Sequence, residues 1–319
     1  MRSSKQIFLF VAMAFAVLFA QAKDVIGNRE LKKDSRAVAA FQQINVNADF
    51  DIIIDYAISP KVEVEAESNL LEVILTEVKG KALNISIAKK AKIVNNFPIV
   101  IRVAAPMLTK IQYTGNGTIT ADGIPSDNME MILNGKGTLN FKNLKTSSMK
   151  LTLSQGFKLN LSDVLASSLN VTLKDNTAFN VTTMSGVKST TITSSTTESC
   201  TIAGLSSESL TLKGSGSGNF SFNGYVGKKV TATLSSSGNV TVGGNADEVN
   251  VTSTGSSNFD AIGLAAKKAK VVNNGSGTIS VSTESSLDAT ISSSGKVVYS
   301  GTPKIKIQNT GTGQLEKKN

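Results

Sequence analysis

Side chains able to do chemistry are sparse in this chain. Histidine is absent, which removes the commonest general base and the commonest metal ligand, and tryptophan is absent too. The remaining candidates are carboxylates, lysines, tyrosines and one cysteine. In the region from about residue 114 to 313 the acids are Asp122, Asp127, Glu130, Asp163, Asp175, Glu198, Glu208, Asp247, Glu248, Asp260, Glu284 and Asp288. Glycoside cleavage needs two carboxyls facing each other across the sugar, and a polysaccharide lyase of β-helical shape needs clustered acids to hold calcium beside an arginine or lysine base. Only Asp247 and Glu248 are adjacent, and after Gly243-Gly244 they read as a solvated loop. The others do not fall into one obvious column.

The other candidates also have plain structural readings. Cys200, in the alternating stretch Ser199-Cys200-Thr201-Ile202, reads as a small buried side chain, and no second cysteine exists to pair with it. Gly214, Gly216 and Gly218 lack the helix that a phosphate-cradling loop requires, since Asn219-Phe220-Ser221-Phe222 reads as a strand. Asn170-Val171-Thr172, Asn239-Val240-Thr241 and Asn250-Val251-Thr252 fit a glycosylation sequon because Asn and Thr flank an inward valine. Sugar binding would want exposed aromatic platforms, for which Tyr56, Tyr113, Tyr225 and Tyr299 are the only tyrosines. No catalytic, cofactor-binding or metal-ligating residue is assigned, and no cofactor is expected.

The elements around these residues repeat. From Gly115-Asn116-Gly117 onward, small-residue turns recur every ~20 residues: Gly135-Lys136-Gly137, Ser154-Gln155-Gly156, Asp175-Asn176, then Gly214 to Gly218, Ser236-Ser237-Gly238, Thr254-Gly255-Ser256, Gly275-Ser276-Gly277, Ser293-Ser294-Gly295 and Gly311-Thr312-Gly313. Between turns lie short runs of period two, such as Met129–Leu133, Lys150–Leu153, Leu169–Leu173, Val249–Val251 and Ile305–Ile307. No segment there carries a helical apolar period. The pattern predicts an all-β, right-handed parallel β-helix whose coils stack ~4.8 Å apart. Its Leu, Val, Ile and Phe point inward and its Ser, Thr, Asn and Lys outward. A β-sandwich is the alternative, with longer strands and a less even beat.

The chain begins with Arg2 and Lys5, an uncharged apolar run from Ile7 to Phe19, and Ala20-Gln21-Ala22. This reads as a secretory signal peptide over 1–22. Residues 23–40 read as a polar flexible lead, 41–313 as one continuous solenoid, and 314–319 as a charged tail. The net charge of +9 falls to +7 once Arg2 and Lys5 are set aside. Lysines supply nearly all of it, no arginine follows Arg102, and aromatics are few, so nucleic acid is not an expected partner. Solenoid ends or faces leave room for a homodimer.

The N-terminal part has a different texture and an ordered set of motifs. They are Phe41-x-x-Ile44-x-Val46, the strand ending Val64-Glu65-Ala66, and Asn69-Leu70-Leu71. Gly80-x-x-Leu83-x-Ile85 follows, then Pro106-x-Leu108 entering the Gly115-x-Gly117 turn. In these the chain resembles the head GIN domain family of auto-transporter-adhesin-like exported proteins over residues 41–220, with the later coils extending it. The resemblance implies a β-helix, export to the periplasm, outer-membrane surface or exterior of a Gram-negative cell, and a role in adhesion. It brings no active-site residues. The expected function is a non-catalytic scaffold presenting a Ser/Thr/Asn-rich face to an envelope or surface polymer or protein. A polysaccharide-binding or polysaccharide-degrading envelope protein is the alternative.

Overall fold

The computed structural model describes residues 23–318, so the signal-peptide reading of 1–22 lies outside the described residues. Every regular element among them is a strand. The strands stack in parallel at the predicted interval: Lys110 pairs with Glu130, Glu130 with Lys150 and Lys150 with Asn170. The architecture is a β-solenoid and not a sandwich, because each coil strand pairs with its counterpart one coil away.

Each coil lays down two broad faces. The first runs through Lys110–Thr114, Asn128–Asn134 and the C-terminal halves of Lys145–Ser154 and Val164–Leu173. The second runs through Thr118–Asp122, Thr138–Lys142, Lys158–Ser162 and Ala178–Val181. A narrower third ladder joins them, pairing Val164 with Met184, Met184 with Leu205 and Leu205 with Tyr225. Register shifts gather around this ladder. In the later coils one continuous strand crosses the corners, as in Asn239–Ser253 and Asn258–Asn273. Those strands are therefore longer than the short alternating runs suggest.

Because the register holds, the core is a set of columns. Ile111, Met131, Leu151 and Val171 stack on the first face, and Leu139, Leu159, Phe179, Cys200 and Phe220 on the second. All are buried. Continuous columns let each coil bury its apolar side chains against two neighbours, which a lone coil of this size could not do. The turns stack just as tightly. A methyl group on Gly275 would overlap the Gly255 carbonyl oxygen, and one on Gly117 would overlap that of Phe50. Glycine is needed at these positions for close approach rather than for unusual torsions.

The solenoid does not begin at its first coil. Residues Ala82–Ile87 and Val100–Ala105 continue the two faces outward from Gln43–Asn47 and Asp51–Tyr56. Antiparallel strands then close both sheets. Ile74–Lys79 closes the first, and Lys61–Glu67 followed by Leu31–Arg36 closes the second. Reversing strand direction ends the parallel ladder and covers the open core, as terminal caps of solenoids must.

Residues 23–40 are thus not a flexible lead. Lys23–Ile26 pairs with Ala91–Val94, and Leu31–Arg36 is the outermost strand of the cap. Residues Gln314–Lys317 of the expected tail form a last strand against Lys296–Ser300. Polar composition misled in both places, because an edge strand exposes one side and needs few apolar residues.

Candidate binding surface

Four of the coil acids, Glu130, Glu208, Asp247 and Glu248, sit in ion pairs with lysines. Among the described residues no group of three or more Asp, Glu or Cys side chains is placed to hold a metal ion. Glu130 lies between Lys110 at 3.3 Å and Lys150 at 3.0 Å. The Lys150 hydrogen bond, helped by Lys110 and opposed by burial, holds its carboxyl below the usual glutamate range. Asp247 and Glu248 are not in a loop but within strand Asn239–Ser253. Asp247 pairs with Lys267 at 2.7 Å and Glu248 with Lys229 at 3.3 Å. Asp247 titrates low chiefly through the Lys267 hydrogen bond, Glu248 chiefly through that from the Asn250 amide. Such groups stay ionised and paired, and a general acid needs the opposite shift.

The acids do share a column with lysines along one corner. Glu208 bonds Lys228 at 3.0 Å on the next coil, and Asp247 bonds Lys267 on the coil after those. In-register stacking sets every side chain beside its counterpart ~4.8 Å away, where like charges would repel, so signs alternate. The sequence reading missed this column because insertions and deletions of single residues shift the spacing from coil to coil.

The nucleophile candidates are shielded. Cys200 sits in a core column between Phe179 and Phe220, and burial pushes its thiol up to about 12. Tyr225 is fully buried, with its phenol raised to about 12 by burial, and its hydroxyl donates to Ser207 O at 2.8 Å. Burial likewise raises Tyr113, whose hydroxyl donates to Phe50 O at 2.9 Å and accepts from the Gly117 N–H at 2.8 Å. These two tyrosines lock turns and offer no sugar platform. Tyr56 is exposed and Tyr299 half-buried.

The outward columns are polar and regular. On the first face Thr152 pairs with Thr172 and Thr172 with Thr193, and after Lys213 the column resumes with Thr233 and Thr252. Beside it run Asn170, Thr191, Thr211, Thr231 and Asn250. On the second face Asn140, Asn160 and Asn180 form an amide ladder, each side-chain amide donating to the preceding oxygen at 2.8 and 3.1 Å. Asn219, Asn239 and Asn258 repeat the device at a turn, with both links 2.9 Å.

A groove follows the third ladder. Its first opening, about 630 Å³, is lined by residues including Asn143, Lys145, Ser147, Leu165 and Ser167. At Gly186 it meets a second opening of about 360 Å³, which includes Ser206 and Val226. At Gly227 it meets a third of about 260 Å³ beside Asn245 and Ala265. Register shifts and small side chains along this ladder leave the concavity. The groove was not foreseen, because its residues come from separate coils and carry no motif.

The cap has one buried acid. Glu67 is 1% exposed and accepts from the backbone N–H of Arg29 at 2.7 Å, the backbone N–H of Asn96 at 2.8 Å and the Asn96 amide at 2.8 Å. Burial pushes its carboxyl upward. Hydrogen bonds from the Asn96 side chain and from the Asn96, Arg29 and Phe97 backbone outweigh that, leaving it below the usual range. Asn69 accepts from the Asn28 N–H at 3.0 Å and donates to Ile26 O at 2.7 Å. Arg36 donates to Leu71 O at 2.7 Å and to Ile74 O. The Glu67-to-Leu71 step therefore clamps the leading strands onto the cap, a structural task.

Comparison with known families adds the identification. The model of the family described as "Putative auto-transporter adhesin, head GIN domain" matches residues 40–181 and, a second time, 158–303. The chain belongs to the head GIN domain family. The head GIN pattern thus spans the cap and the coils together, and its second match shows the later coils repeating what the earlier ones contain. Solved structures similar to the chain include a protein described as a putative adhesin from Parabacteroides distasonis ATCC 8503. It is 20% identical, with 92% of this chain and 100% of that chain covered and a TM-score of 0.35. Another, described as a putative adhesin from Bacteroides fragilis NCTC 9343, is 17% identical over 92% of this chain and 99% of that one, with a TM-score of 0.33. A third, described as a putative lipid binding protein from P. distasonis, is 20% identical over 93% of this chain and 100% of that one, with a TM-score of 0.32. No curated protein matches the chain.

Proposed function

We propose that this head GIN protein is an exported, non-catalytic adhesion-type scaffold that engages an envelope or surface polymer or protein through its broad coil faces. The observation that carries the reading is the pair of threonine-rich columns on the first face, held in register over many coils. Each hydroxyl or amide offers a weak contact, and a rigid ladder adds many of them at a fixed spacing without ordering cost on the protein side. The paired, ionised acids support binding rather than bond cleavage. Membership of the head GIN family supports both export and adhesion.

The second reading, a polysaccharide-binding envelope protein, is favoured by the groove along the third ladder. Its hydroxyls and amides stand beside exposed Leu165 and Val226 and the charged Asp127, Lys145, Glu208 and Lys228, a mix that suits an extended sugar chain. One experiment separates the readings. Purified protein is tested for retention on isolated envelope polysaccharide and on whole cells, with T172K/T193K/T233K on the face and S147K/S167K/S206K in the groove. The adhesion reading expects only the face variant to lose binding to cells. Loss confined to the groove variant would select the second reading, and loss from a single Asp→Ala or Glu→Ala change would overturn both.

A further inference from the structure

Seven of the eleven exposed large apolar side chains belong to the cap: Ile26, Leu31, Tyr56, Ile58, Leu75, Val94 and Phe97. Three of them are held close together. Ile26 pairs with Val94 across the two-stranded parallel sheet, the Gly27 N–H donates to Val94 O at 2.9 Å, and the Asn96 amide donates to Gly27 O at 3.1 Å. That lattice brings Phe97, next to Asn96, to the same end of the sheet. Ile26 is 67%, Val94 43% and Phe97 39% exposed.

Alternation in this small sheet turns Val25 and Ile93 toward the core and places Lys92, Val94 and Ile26 on the outer side. Lys89 and Lys90 stand in the turn just before, both exposed, and none of the three lysines forms an ion pair among the described residues. Arg29 lies alongside, bonded to Asn96 at 3.4 Å. The acids nearby are Asp24, opposite Lys92, Glu30, which accepts from the Asn28 amide, and the buried Glu67, which accepts from the Arg29 and Asn96 N–H groups. Against Lys89, Lys90, Lys92 and Arg29 they leave one positive charge in excess. The patch is net basic and apolar at once.

From this placement we infer that the outer side of the Lys23–Ile26/Ala91–Val94 sheet docks on an anionic phospholipid bilayer. Ile26, Val94 and Phe97 enter the headgroup boundary while Lys89, Lys90 and Lys92 meet the lipid phosphates. Apolar side chains flanked by lysines whose stems reach past them suit an interface with one apolar and one charged layer, and a protein partner would not require the lysines to be left unpaired. The surface lies on the cap, apart from the coil faces and groove, so it is independent of the adhesion reading.

The chain has no tryptophan, so Phe97→Trp in the full chain gives a single fluorescent reporter at the patch. Vesicles of phosphatidylglycerol and brominated phosphatidylcholine are compared with vesicles of brominated phosphatidylcholine alone. Docking predicts a blue shift and quenching of the reporter's indole emission on the anionic vesicles only. K89Q/K90Q/K92Q should weaken it about fivefold for each lysine, on the order of a hundredfold for three. An Ile305→Trp reporter at the far end should stay unquenched. Equal quenching on neutral vesicles, equal quenching at both reporters, no quenching, or a shift that follows protein concentration without lipid would each overturn the proposal, the last in favour of a second copy of the chain.

Discussion

Phe157 offers the sharpest test of the columnar core. Its ring is fully buried, and it meets Tyr113 edge to face with ring centres 5.8 Å apart. Tyr113 in turn holds the first glycine turn through Phe50 and Gly117. Phe157→Ala leaves a cavity beneath that turn, and a buried phenylalanine lost in this way costs about 3–5 kcal/mol. Loss of the edge-to-face contact is part of that total, at about 0.5–1.5 kcal/mol. Phe157→Leu keeps most of the volume and should cost about 1–1.5 kcal/mol. A long solenoid need not unfold in one step, so a single melting temperature is the wrong readout. Native-state hydrogen exchange followed by mass spectrometry reads each coil separately. In the alanine variant, amides of Lys110–Thr114, Thr138–Lys142 and Lys158–Ser162 should exchange at least about a hundredfold faster, as about 3 kcal/mol implies. Those of Thr278–Ile291 should be unchanged. Equal acceleration in the far coils would show that the solenoid opens as one unit and refute the nearest-neighbour reasoning. No acceleration near the cavity would refute the packing itself.

Three further outcomes follow from the same geometry. The folded-state pKa of Glu67 is depressed, so its contribution to stability is fully present above the unfolded value near 4.5 and is lost as pH falls through the folded value; proteolysis within residues 23–36 should rise on acidification, and Glu67→Gln should show that susceptibility already at pH 7, with a weaker dependence on acid. Cys200, buried and raised to about 12, should resist thiol reagents at pH 8 until denaturant is added; rapid labelling of the folded chain would place it elsewhere. Gly275→Val should cost more than the about 1–3 kcal/mol of ordinary overpacking, because the added atoms meet the Gly255 carbonyl, and hydrogen exchange should localise the damage to the turns around residues 255, 275 and 295.

Much of the coil region was legible from its residues. Period-two runs such as Met129–Leu133 and Leu169–Leu173, separated by glycine turns at a fixed interval, leave few architectures that can bury one side of every run. The inward reading of Cys200 followed from the same alternation, and so did the outward reading of Asn170 and Thr172. Local pattern also located the change of texture after Phe41 and the resemblance to the head GIN family.

What the pattern could not carry is anything assembled from distant residues. Lys23–Ile26 and Leu31–Arg36 look like polar linker because their order comes from Glu67, Asn69 and residues 91–96, far away in the chain. The Asp247-Glu248 pair looks like a loop because neither residue favours a strand, yet Lys267 and Lys229, brought alongside by stacking, neutralise both. The groove has no sequence signature, since each coil adds only a few small residues to it. Alternation and repeat are local properties, and they determined the solenoid. The cap, the charge column, the groove and the basic apolar patch depend on which coil lies beside which, and only the tertiary structure decided that.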